Sequence, residues 1–157
     1  MSETDTKARS NSLYESDFFS WTQEQARLLR ERRFDELDLE NLVDEVTSVG
    51  SSEKREIRSR LIVLIGHLLK WKFQPGGRNP GWTETIFEQR QQLNDIITNS
   101  PSLRNYHRDQ VNRMYRGARL LAAKETGIAF RVFPTECPFD SAQILDLEFF
   151  PEDPNFE

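Results

Sequence analysis

Cysteine is almost absent. Cys137 stands alone among 157 residues, so the chain can close no internal disulfide, which fits a reducing compartment. Histidine is nearly as scarce, with two residues, and no HExxH-type ligand spacing surrounds either. Long apolar runs are missing too: Leu61 to Leu69 is broken by Gly66 and His67 and is too short to span a bilayer. The opening residues, MSETDTKARSNS, hold no apolar segment of the kind a secretory signal needs, which points to the cytoplasm. There is no basic excess. A net charge of -5 is the wrong sign for a chain whose main partner is nucleic acid. The glycines of PGGRNPG lack the GxxxxGKS/T pattern of a phosphate loop. No repeat, low-complexity tract or sheet-forming alternation appears.

What is present is helical periodicity, at a one-domain length that buries roughly 68–70% of the unfolded surface. Residues 1–13 are small and polar and read as a disordered lead-in, leaving 14–157 as one domain. Ser16 can cap a first helix running to about Arg33, with Phe18, Trp21, Gln25 and Leu28 at helical spacing. DELDLENLVDEVTSVG reads as a short second helix with Leu39, Leu42, Val43, Val46 and Val49 as its apolar face and Gly50 as its stop. SSEKRE opens a third, central helix to about Phe73, apolar on most of its circumference. QPGGRNPG is a loop. A fourth helix spans about Trp82 to Thr98 and a fifth, capped by Ser100 and Pro101, ends at Gly127. SAQILD can make a short helix, and the aromatic tail LEFFPEDPNFE is expected to pack back. The fold class is therefore all-α, a bundle of about five helices with an irregular C-terminal segment packed on it.

Several segments in order carry a resemblance: YESDFFSW, LDLENLVDEV, SRLIVLIGHLLKW, WTETIFEQR, SPSL and FPTECPF. Over about Tyr14 to Pro151 the chain resembles the bacterial, largely cyanobacterial family called domain of unknown function 29. The resemblance implies an all-helical bundle in a bacterial cytoplasm and transfers no activity.

His67 is the most pointed residue, an ionisable ring inside LIVLIGHLLKW. Glu56, Arg60, Val63, His67 and Lys70 trace one edge of the third helix, and Asp38, Asn41 and Glu45 an edge of the second. If those helices form an antiparallel hairpin, Asp38 approaches the level of His67, and a carboxylate there would raise its pKa. The favoured reading is a structural histidine paired with a carboxylate or carbonyl; a metal site and a general base are the sharper ones. Arg90 reads as the partner of Glu45 or Asp38. Cys137 reads as inert and Trp21, Trp71 and Trp82 as core. Arg104, His107, Arg108, Arg113, Arg116 and Arg119 form a basic cluster on the fifth helix, with a solvated face as the default.

These readings leave open whether the protein is an enzyme, and imply no cofactor and no metal. The preferred function is an interaction or regulatory module with a protein partner, self or other, homodimer included, through the apolar second side of Leu61 to Phe73. The alternatives are a hydrolase or nuclease with a polar pocket around His67, Asp38, Glu45 and Arg90, and a nucleic-acid-binding protein using the fifth helix.

Overall fold

The computed structural model describes residues 2–153. Among them there are six α-helices and no strand: α1 (Glu3–Ser16), α2 (Phe18–Arg30), α3 (Leu39–Phe73), α4 (Pro80–Asn99), α5 (Arg104–Thr126) and the short α6 (Ser141–Leu145). The chain divides into two compact units, with the boundary between Ser52 and Glu53, inside α3. The sequence reading expects one domain from residue 14.

Two boundaries differ from that reading. Over residues 3–13 the lead-in is helical rather than disordered; Met1 lies outside the described residues. Ser2 caps α1 by accepting from the Asp5 amide, and Glu3 and Asp5 place negative charge in its first turn. Its packing face is polar: Thr6 and Ser10 are buried. With its amide turned to donate, Asn11 reaches both carboxylate oxygens of Asp38 at 3.0 Å. A helix docked by small polar residues carries no apolar periodicity, so pattern reading passes over it.

The second difference is larger. The expected second and third helices are one helix, and Gly50 lies within it rather than ending it. Glycine costs only about 1 kcal/mol in a helix interior. The apolar stripe of Leu39, Val43 and Val46 stays in phase through Gly50 and Glu53 to Ile57, Leu61 and Leu64, so nothing else breaks the helix.

The first unit contains α1, α2 and the start of α3. Asp17, not Ser16, caps α2 by accepting from the Ser20 amide. Trp21, Leu28 and Leu37 are its buried apolar side chains, beside buried Gln25, Glu36 and Asp38. The second unit has a continuous apolar core from the remainder of α3, α4, α5 and the C-terminal segment. Ile57, Leu61, Leu64, Ile65 and Leu68 are fully buried. Gly66 lets α5 approach: a Cβ there would lie 2.7 Å from Leu121 Cδ2 and 3.4 Å from the Ala118 carbonyl. Gly127 ends α5 in the left-handed region at φ 73°. Beyond it Phe133, Phe139 and Ile144 are buried. Asp140 starts α6 with a capping box to Gln143. Phe150 packs on Trp71 at 4.7 Å between ring centroids, so the described part of the aromatic tail returns to the core; residues 154–157 lie outside it.

Candidate functional site

In place of the expected hairpin, α3 runs unbroken from Leu39 to Phe73. Asp38 and Glu45 belong to the first unit, His67 and Arg90 to the second. Each has its own partners.

His67 donates from Nδ1 to the Val63 carbonyl one turn back on α3, at 2.8 Å. That bond leaves Nε2 as the unprotonated nitrogen. Burial pushes the pKa of His67 down; the Val63 carbonyl opposes this, nearby Lys70 adds to it and Glu125 opposes it. The ring is therefore neutral at neutral pH. Lys70, itself buried, is clamped between the Glu125 carboxylate at 2.6 Å and the Trp82 ring, whose centroid is 4.6 Å away. Among the described residues no carboxylate is hydrogen-bonded to His67, and no group of three His, Cys, Asp or Glu side chains could hold a metal ion.

Asp38 is the organising residue of the first unit. Its carboxylate accepts from Trp21 Nε1 at 3.0 Å and Asn41 Nδ2 at 2.7 Å. Its own amide donates to Gln25 Oε1 at 2.8 Å. Every available lone pair faces a donor, which is how a buried carboxylate is kept in place. Glu45 accepts from the Tyr14 hydroxyl at 2.7 Å, and this bond to a carboxylate pushes the Tyr14 pKa up to about 12.

Arg90 takes backbone carbonyls as its acceptors. It is fully buried and donates from Nε to the Ile144 carbonyl at 2.8 Å and from Nη2 to the Gln143 carbonyl at 3.2 Å. Its guanidinium also lies 5.6 Å from the Phe150 ring centroid. Burial pushes its pKa down, and Asp146 opposes that. Arg90 thus ties α4 to the end of α6 and to the aromatic tail. Backbone carbonyls at a helix C-terminus carry enough negative charge to take a cation without a carboxylate.

The basic cluster of α5 loses two members. Arg119 donates to the Phe133 carbonyl at 2.8 Å and lies over Phe130. His107 is fully buried, with Nδ1 3.0 Å from the Ser141 hydroxyl. Sequence reasoning placed His107 with the solvated arginines; its helical spacing from Leu103, Val111 and Met114 marks it as an inner-face residue. Arg104, Arg108, Arg113 and Arg116 remain exposed.

Ser141 and Cys137 border a cleft of about 420 Å³ with Arg108, Asn112 and Asp140. The pairing of serine and histidine does not make a catalytic dyad. Among the described residues His107 Nε2 has no partner, and burial pushes its pKa down to about 4. A histidine that accepted the serine proton would be a buried cation with no counter-charge. Cys137 donates its thiol to the Phe139 carbonyl, and burial pushes its pKa up, which keeps it a protonated thiol at neutral pH.

The feature that sequence reasoning misjudged most is apolar. Leu39, Val43, Val46 and Val49 are exposed, Val46 and Val49 at about 70%. By contrast, on the second side of Leu61 to Phe73, Ile62 packs against Gly117 of α5 and Leu69 is fully buried. That side is occupied by the protein's own core. Among the described residues no helix is long and apolar enough to cross a membrane.

No curated protein and no solved structure matches the chain. The model of one family does, over residues 13–150, most of the chain, and the chain accordingly belongs to the family described as Domain of unknown function DUF29.

Proposed function

We propose that the protein is an interaction module whose contact surface is the bare apolar stripe at the start of α3. One observation carries this reading: Leu39, Val43, Val46 and Val49 share one side of a helix and are all exposed. Scattered exposed apolar residues are ordinary, but a contiguous exposed apolar stripe is the kind of surface that serves as a contact site. The rival pocket around His67 draws on residues with separate partners.

The test is a comparison of baits in extract of the source cell. One is the wild-type protein, the other a Val43→Asp/Val46→Asp variant with unchanged circular dichroism. A partner retained by the first and lost by the second supports the reading. Identical captures from both overturn it.

A further inference from the structure

Resting on that reading, we infer that the stripe takes a basic amphipathic helix of another protein. The neighbourhood of the stripe is acidic. Residues 1–52 carry twelve acidic and six basic side chains, a net charge of -6. The remainder of the chain carries fourteen acidic and fifteen basic, a net of +1. The local chemistry agrees with the total. At 100° per residue, exposed Glu40 lies about 60° round the helix from Val43 on one rim, and half-buried Glu45 about 40° from Val49 on the other. Neither takes part in an ion pair among the described residues. The acidic side chains that do pair in this unit, Glu24, Glu31 and Glu36, are bound by Arg27 and Arg33 of the unit itself.

Size and charge together select the occupant. From Leu39 to Val49 the stripe runs about 15 Å, roughly three helical turns. That matches the i, i+3/i+4, i+7 anchors of one helix laid along an apolar face. A stable dimer buries above about 1,000 Å² with good complementarity, more than two such stripes facing each other supply. Two copies meeting stripe to stripe would also bring Glu40 and Glu45 of each against acidic neighbours. Anionic lipid and nucleic acid meet the same repulsion. A helix with apolar anchors flanked by lysine or arginine satisfies both the ridge and the flanking carboxylates.

The experiment uses the full chain and two synthetic amphipathic peptides with the same leucine ridge, one with lysine and one with glutamate on the flanks. Binding is read by fluorescence anisotropy at low and at physiological salt. The lysine peptide is expected to bind at least about tenfold more tightly than the glutamate peptide, a difference of about 1.4 kcal/mol, and to weaken as salt rises. Val46→Asp should abolish that binding while the circular dichroism stays unchanged, and Glu40→Lys should narrow the preference. Equal binding of both peptides, lost in Val46→Asp, overturns the partner assignment while leaving the stripe a docking surface. Binding of neither peptide, or binding that Val46→Asp leaves intact, overturns both. Light scattering supplies the last outcome: a dimer dissolved by Val46→Asp would make a second copy the occupant and overturn the basic-helix assignment.

Discussion

Ile57, Leu61, Leu64 and Leu68 are fully buried in the unit that begins at Glu53, whereas Leu39, Val43 and Val46, on the same stripe of the same helix, are exposed in the unit that ends at Ser52. The interiors differ in parallel. The second unit closes around a continuous apolar cluster. The first is held by Trp21, Leu28 and Leu37 together with a network centred on Asp38. A helix with one apolar phase can thus be core along part of its length and open surface along another. Periodicity says which side is apolar, not whether anything covers it.

The largest expected effect lies in the covered half. Leu64→Ala should lower unfolding free energy by about 2–5 kcal/mol, read by urea denaturation, because it leaves a cavity in a close-packed core.

Next is acid sensitivity of the second unit. His107 titrates at about 4 in the folded protein against an ordinary 6.5. Below pH 6.5 the unfolded chain takes up a proton that the folded one refuses. The stabilisation is complete above pH 6.5 and fades as pH falls towards 4, by up to about 3 kcal/mol. His107→Gln should flatten that part of the pH–stability curve. The first unit should respond at lower pH, since Glu24, Glu31 and Glu36 are held below the ordinary carboxylate range by Arg27 and Arg33. Their stabilisation is present above the ordinary carboxylate range and is lost below it. Residue-resolved hydrogen exchange at pH 7, 5.5 and 3.5 separates the two responses.

Trp21→Phe probes the polar interior. It removes the indole donor to buried Asp38 and should cost about 1–3 kcal/mol in a urea melt. A smaller effect in the opposite direction is expected at the unit boundary. Gly50→Ala should stabilise the protein by roughly 0.5–1 kcal/mol, since the position is within a helix and nothing lies within 4 Å of an added Cβ. Had Gly50 ended a helix in the left-handed region, alanine would destabilise instead, so the sign of the change in thermal melting decides.

Most of the second unit was legible in the sequence. Its helices are amphipathic, Gly127 and Pro101 punctuate them, and Phe149 and Phe150 announced a tail that needed cover. Less of the first unit was. α1 docks through Thr6, Ser10 and Asn11, whose types signal nothing, and Gly50 looks like a stop but has helical neighbours on both sides. The expected hairpin rested on that same residue: it needed the chain to reverse at Gly50, where α3 instead continues. Arg90 was rightly placed inside, but its acceptors are backbone carbonyls, which no residue type reveals.

The smallest effect tests the exposed stripe most directly. Val46→Ala removes two methyl groups from the middle of that stripe, and its unfolding free energy can be set beside that of the wild type in urea. Because Val46 is open to solvent and alanine is the better helix former, stability should be unchanged or rise by about 0.5 kcal/mol. A fall of about 1 kcal/mol or more would mean that Val46 is packed, and that α3 has no bare surface to offer a partner.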